Sequence, residues 1–324
     1  MTQKPAPTSW DSEKEKMIIN TGQRTDIPAF YSKWFLNRVL EGYALSRNPY
    51  NPSMVTRYRF DPETVDAIMF CTKDPAPMIP HLAELSAFRQ IWYMTITPYG
   101  TDIEPHVPGL DASVGSFRRL SLAVSPQRVI WRYDPVIITG KYTVSYHKEA
   151  FEKLCEALKS YTHSVVVSFV DLYEKTKRNF PGIREVSPEE RLEIGRSFAQ
   201  SAVKCGMKPY TCLEGTDLEQ FGFDCSGCMT KEVIERAIGE QLRVPSGVSY
   251  GRPGCRCLIG CDIGAYNTCG HGCLYCYANY DMKLVGRNMK LHDPDSPFLI
   301  GGSLPGDTVH DAVQESWLTG QTIL

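Results

Sequence analysis

Cys269, Cys273 and Cys276 lie in the run Asp262-Ile-Gly-Ala-Tyr-Asn-Thr-Cys-Gly-His-Gly-Cys-Leu-Tyr-Cys-Tyr-Ala-Asn279, with the spacing C-x3-C-x2-C. An aromatic residue, Tyr275, precedes the last thiol. Thiolates are the usual protein ligands of iron–sulfur clusters, and three on one tight loop can hold three irons of a [4Fe–4S] cube. Gly270 and Gly272 let the backbone fold closely around such a group. The fourth iron then lacks a protein ligand and is open to a small molecule carrying an amine and a carboxylate. The competing chemistry is structural zinc. That metal takes four ligands, so His271 or a more distant cysteine would have to complete the set.

The chain has 324 residues and twelve cysteines, ten of them between Cys205 and Cys276, while Cys71 and Cys155 stand alone. A chain this long builds its core without disulfides, so clustered thiols point to metal or redox chemistry. Upstream of the loop lie Cys212, the pair Cys225 and Cys228, the pair Cys255 and Cys257, and Cys261. Including Cys205, that is more sulfur than one structural zinc needs. A second iron–sulfur cluster, a zinc ion and free thiols all remain open for this group.

Hydrophobic residues at 42% and charged residues at 22% are those of an ordinary globular protein. The formal charge of −2 disfavours a generally basic nucleic-acid binder. No apolar run is long enough for a membrane-spanning helix, and residues 1–16 lack the apolar core of a signal peptide. The expectation is a cytoplasmic protein with a mobile leader over 1–16. A single domain follows over 17–324, in which 212–261 is a cysteine-rich excursion and 262–280 the cluster-binding loop. No Ser-His-Asp order, phosphate loop or HExxH motif occurs.

The elements that must position the loop alternate. Strand-like runs occur at Met17–Asn20, Ala67–Cys71, Trp92–Ile96, Val129–Trp131, Ser164–Val170 and Lys208–Cys212. A helix is expected over Tyr31–Tyr43, with Phe35, Val39 and Tyr43 on one face. A second carries the stripe Phe151, Leu154, Cys155 and Leu158. A third follows the capping box of Ser187 and Glu190, with Pro188 at its first position and Gly206 past its end. Ile263–Tyr266 reads as the strand feeding the cysteine loop, and Asp307 as the cap of a helix burying Val309, Val313 and Trp317.

This order predicts an α/β protein with a mainly parallel sheet, and a full or partial (βα) barrel rather than a dinucleotide-binding sheet. Polar residues follow the strands: Arg24 and Asp26, Lys73, Thr97, Arg132 and Asp134, Ser168 and Asp171. In a βα barrel these ends converge on one site. His106 reads as an exposed loop histidine, and His271 is expected either to tune a cluster or to face solvent.

The C-x3-C-x-aromatic-C loop resembles the signature of radical S-adenosylmethionine (SAM) enzymes. The resemblance implies a (βα) barrel in which an open iron chelates SAM, and a reductant such as flavodoxin or ferredoxin. The superfamily motif stands near the N-terminus, whereas here it begins at Cys269, an arrangement like a circular permutation. From about Met17 the whole chain also resembles a bacterial family, domain of unknown function 1848. Arg24-Thr-Asp-Ile-Pro-Ala-Phe-Tyr31, Thr72-Lys-Asp-Pro75, Thr97-Pro-Tyr-Gly100, Trp131-Arg-Tyr-Asp-Pro135 and Asp262–Asn279 carry that likeness. It singles out Cys212, Cys228, Cys255 and Cys257 as the second thiol site, a cluster or a zinc ion, and leaves Cys225 and Cys261 as extras.

The resemblance therefore implies an enzyme that cleaves SAM to a radical at a cluster on Cys269, Cys273 and Cys276. Tyr275 would pack near the adenine and Asn267 would donate from behind the cluster. Arg24, Asp26, Lys73, Arg132, Asp134 and Asp171 are its candidates for binding SAM or substrate, and the leader or the tail from Leu304 for a lid. An iron–sulfur electron-transfer or redox-sensing protein and a zinc-stabilised nucleic-acid-binding module are the alternatives.

Overall fold

A computed structural model describes residues 17–246, 248 and 254–323. The expected leader, 1–16, lies outside the described residues. Seven strands form the central sheet: Ile18–Asn20 (β1), Ala67–Thr72 (β2), Gln90–Thr95 (β3), Val129–Val136 (β4), Ser164–Phe169 (β5), Lys208–Thr211 (β6) and Cys261–Asp262 (β7). Their order across the sheet is β7-β1-β2-β3-β4-β5-β6, and every neighbouring pair is parallel. From β1 to β6 each strand lies beside its predecessor, so the order never reverses as it does in a doubly wound sheet. All carboxyl ends point to one edge.

Parallel strands with crossovers are apolar on both faces, and the alternation shows it. Ile68, Phe70, Trp92, Met94, Trp131, Tyr133, Val165 and Val167 belong to one buried cluster, with Phe35, Phe117, Phe151 and Phe198 from the crossover helices. The rings stack: Phe70 on Trp92 at 4.0 Å, and Phe151 on Phe198 at 3.8 Å. The latter pair joins helix Val144–Leu158 to helix Pro188–Lys204. Ala67, Met69, Ile91, Tyr93, Ile130, Val166 and Tyr210 form the opposite face. There the excursion packs, through helix Lys231–Ile238 and Cys228, Cys255 and Cys257. Among the described residues no helix is long and apolar enough to cross a membrane.

The expected capping box is present, with Ser187 and Glu190 each bonded to the other's backbone N–H. Other expectations need correction. The first long helix is Ser32–Glu41, because Gly42 adopts φ +80° and ends it. Tyr43 instead starts a strand, Tyr43–Arg47, antiparallel to Met54–Arg59. The strand feeding the cysteine loop is Cys261–Asp262, earlier and shorter than Ile263–Tyr266. The tail holds no helix at Asp307. Asp307 meets the Arg47 guanidinium at 2.8 Å, and Thr308–Asp311 is a strand parallel to Met54–Arg59. Val309 and Val313 are exposed and only Trp317 of the three is buried. Leu318–Thr322 pairs with Glu240–Leu242. A tail tied into two sheets is not a free lid.

His147 lies fully buried on helix Val144–Leu158. Its Nε2 donates to the Ile137 carbonyl at 2.9 Å, and its Nδ1 accepts from the Tyr133 hydroxyl at 2.7 Å. That pattern requires a neutral ring, and burial depresses the imidazole to about 4. The unfolded chain takes up this proton near pH 6.5, the folded chain only near pH 4, so stability falls as pH drops through that window. Wild type is expected to lose about 3 kcal/mol relative to His147→Gln between pH 7 and pH 4, measured by urea unfolding. A gap that stays constant with pH would contradict this.

Candidate functional site

Strand β7 lies at the sheet margin beside β1 and delivers the cysteine loop to the edge where the strands end. Backbone and amide bonds close the loop on itself. The Asn267 N–H donates to the Ala278 carbonyl at 3.0 Å, and the Asn279 side chain donates to the Cys269 carbonyl at 2.8 Å. Asn267 sits at φ +58°, and its carbonyl accepts from Asn288 at 3.0 Å. The Tyr31 hydroxyl donates to the Thr268 carbonyl at 2.6 Å. A Cβ on Gly270 would come within 2.7 Å of the Phe30 ring, and Gly272 adopts φ +70°. Both glycines are thus required by the tight path between Cys269 and Cys273.

Cys269, Cys273 and Cys276 each keep part of their surface accessible. Burial is nevertheless the largest influence on all three and pushes every thiol up, Cys273 to about 12. Each of Cys269 and Cys273 is raised further by the charge of a neighbouring loop thiol, whereas Lys73 opposes the rise at Cys273 and Cys276. The positive charge of Lys73 thus acts on both Cys273 and Cys276.

The strand ends converge around them. Asp26, after β1, accepts from the Ala29 N–H at 3.1 Å through Oδ1. Its Oδ2 accepts from the Lys73 N–H at 2.8 Å and meets His271 Nε2 at 2.8 Å. Lys73, after β2, places Nζ 2.8 Å from Glu104 Oε1 and 3.3 Å from Thr97 Oγ1. Glu104 also accepts from Thr97 at 2.7 Å and from the Tyr275 hydroxyl. Arg24 pairs with Asp262 at 3.5 Å, donates to its carbonyl, and reaches Ser46 at 3.2 Å.

His271 is the main correction at this site. It is buried, neither solvent-facing nor free. Its Nε2 is held by Asp26, its Nδ1 lies 3.4 Å from the His106 carbonyl, and its ring packs edge-on against Phe30 at 4.7 Å. Both nitrogens thus face protein oxygens, the closer one belonging to Asp26. His106 itself is exposed, as expected. Glu104 was missed by sequence reasoning. It lies among loop residues with no spacing signal, and only its position after β3 could have marked it.

The remaining candidates divide. Arg132 and Asp134, on β4, pair with each other at 3.0 Å, and Asp134 accepts from Ser168. Burial pushes the Asp134 carboxyl up, yet Arg132 and Ser168 outweigh it and hold the group below the usual carboxylate range. Arg132 also reaches the second thiol group, with Nη1 3.8 Å from Cys228 Sγ. Asp171 is exposed, and its carboxylate meets the Tyr173 hydroxyl at 3.3 Å. The structure does not bring it into the ring. Tyr275 lies under Lys73, whose Nζ is 5.8 Å from the ring centroid, and Asn267 stitches the loop.

Cys212, Cys228, Cys255 and Cys257 do come together. Cys228 Sγ is 3.6 Å from Cys212 Sγ and 3.8 Å from Cys257 Sγ, and the Cys257 N–H donates to Cys255 Sγ at 3.4 Å. Cys225 packs instead against the main buried cluster, and Cys261 donates to the Ile18 carbonyl at 3.3 Å. Among the described residues no three or more Cys, His, Asp or Glu side chains stand closed around a point where one metal ion would bind.

Fold and site together define a parallel α/β protein with a cysteine loop at the carboxyl edge of its sheet. The family model described as Domain of unknown function (DUF1848) matches residues 18–278, most of the chain, and the chain belongs to that family. The matched region contains both thiol groups. No curated protein and no solved structure matched the chain.

The Lys73–Glu104 pair is buried and built into the ring. Removing one partner strands the other charge. Lys73→Met is expected to destabilise the chain by about 3 kcal/mol in urea unfolding. Adding Glu104→Gln should recover about 1–3 kcal/mol of that loss. Two losses that simply add would show that the pair is not coupled.

Proposed function

We propose that this chain is a radical SAM-type enzyme whose [4Fe–4S] cluster is held by Cys269, Cys273 and Cys276. One observation carries the reading. Three thiols share a loop at the carboxyl edge of the sheet, and the one imidazole in that loop is held by Asp26 at 2.8 Å. The donor set is thus three thiolates, which suits a cluster with one iron left for SAM. The strand order from β1 to β6, advancing without reversal, supports a partial (βα) barrel with β7 and its loop supplied last.

Held by Cys269, Cys273 and Cys276, such a cluster would supply one-electron reduction of the SAM sulfonium, with a flavodoxin or ferredoxin as the electron source. The chain's own residues position and shield. Asp26 fixes the loop through His271 and orients the backbone after β2. Arg24 fixes the start of the loop through Asp262. Both Asp26 oxygens are committed to the protein, which makes it a positioning residue, and Arg24 is placed by its contacts to Asp262 and Ser46. Lys73, beside Cys273 and the Tyr275 ring, is the candidate for meeting the carboxylate of SAM, with Glu104 holding it in place. Tyr275 remains the candidate to border the adenine.

The test is anaerobic reconstitution with iron and sulfide, then reduction by dithionite with SAM present. Formation of 5′-deoxyadenosine is expected from wild type and is expected to vanish in the Cys269→Ala, Cys273→Ala, Cys276→Ala variant. A chain that takes up iron yet leaves SAM intact would overturn the reading and leave the electron carrier.

A further inference from the structure

The quartet of Cys212, Cys228, Cys255 and Cys257 lies in the excursion, on the sheet face opposite the crossover helices. The separations of the Cys228 sulfur from those of Cys212 and Cys257 are not those of a disulfide, whose sulfurs stand about 2.0 Å apart. Zinc bonded to thiolates at about 2.3 Å in a tetrahedron spaces its sulfurs by about 3.8 Å. The Cys228–Cys212 and Cys228–Cys257 separations are 3.6 and 3.8 Å. A two-iron cluster assigns two thiolates to each iron, so each sulfur has one close partner. Cys228 has two. A four-iron cube takes one thiolate per iron and keeps them all further apart. The two Cys228 separations match thiolates that share a single ion.

The surroundings agree with a thiolate site. The Met229 N–H donates to Cys257 Sγ at 3.2 Å, and the Cys257 N–H to Cys255 Sγ at 3.4 Å. Bonds of this kind orient metal-binding sulfurs. Gly227 adopts φ +139°, and a Cβ there would lie 2.9 Å from Cys257 Sγ. The chain thus keeps room for that sulfur where a side chain would fill it. Zinc with four thiolates carries net negative charge, and the Arg132 guanidinium stands 3.8 Å from Cys228 Sγ to offset part of it. The sulfurs are not already closed around one point, so the argument rests on their contacts and donor chemistry.

We propose that Cys212, Cys228, Cys255 and Cys257 form a mononuclear structural zinc site. The ion would join the chain just after β6 to the chain just before β7. Between these points the described residues of the excursion hold only the helix Lys231–Ile238, the strand Glu240–Leu242 and a single turn of 3-10 helix at Glu219–Phe221 as regular structure. Metal binding supplies folding free energy to such loop-rich segments. It would also fix where β7 begins, since the Leu258 N–H donates to the Met229 carbonyl at 2.8 Å. The site is thus structural and independent of the loop triplet.

The experiment measures zinc and iron in the full chain carrying Cys269→Ala, Cys273→Ala and Cys276→Ala, so that the loop site cannot contribute. One equivalent of zinc is expected, and its loss in that background with Cys228→Ser added. If the Cys228→Ser chain does not fold, replacement of zinc by cobalt(II) in the triple variant gives the readout. Intense visible bands of tetrahedral cobalt with thiolate charge transfer are expected. Quartet-bound iron, four reactive thiols without metal, or a Cys212–Cys228 disulfide would each overturn the proposal. None of these outcomes depends on whether SAM is cleaved.

Discussion

Asp26 binds three separate parts of the chain through one buried carboxylate. It caps the short helix Ile27–Phe30, holds the backbone of Lys73 after β2, and holds His271 in the cysteine loop. Hydrogen bonds to a charged group each contribute about 1.5–3 kcal/mol, so this one side chain sets the position of the loop on the sheet edge. The loop has little regular structure of its own, and its register with the strand ends rests on such contacts. Glu104 does similar work on the other side, tying Lys73, Thr97 and Tyr275 together. Arg24 closes the set by gripping Asp262 at the root of the loop.

The parallel sheet makes these contacts possible. Because β1 to β4 lie side by side in sequence order, Asp26, Lys73, Glu104 and Asp134 arrive at one edge without any long excursion of the chain. Strand β7 then enters beside β1 from the far end of the sequence and brings the thiols to the same place. Gly260 allows that entry, for a Cβ there would lie 2.2 Å from the Ile18 carbonyl oxygen. Arg132, on β4, faces Asp134 and Cys228 together and so couples the strand ends to the thiols of the excursion.

Much of this was legible in the sequence where the signal is local. β-branched runs such as Ser164–Phe169 mark strands buried on both faces, and the Ser187–Glu190 capping box marks a helix start. The α/β class and the parallel sheet followed from the alternation of such segments. What failed depended on partners far along the chain. Tyr43 reads as the end of a helix until Gly42 and the pairing with Arg59 are seen. Thr308–Asp311 reads as a helix because its partner, Met54–Arg59, lies some 250 residues earlier. His271 reads as a metal ligand or solvent residue because Asp26, which occupies it, is equally remote. Asp171 follows a strand as the other candidates do, yet turns to solvent. Position after a strand does not fix where a side chain points.

The central claim is that three thiols hold a cluster with one iron free. Electron paramagnetic resonance of the anaerobically reconstituted, reduced triplet site, recorded with the quartet intact and with and without SAM, tests it most directly. A [4Fe–4S]⁺ signal whose g-values shift when SAM is added is the predicted result. A cluster signal indifferent to SAM, or bound zinc with no iron at Cys269, Cys273 and Cys276, would contradict it.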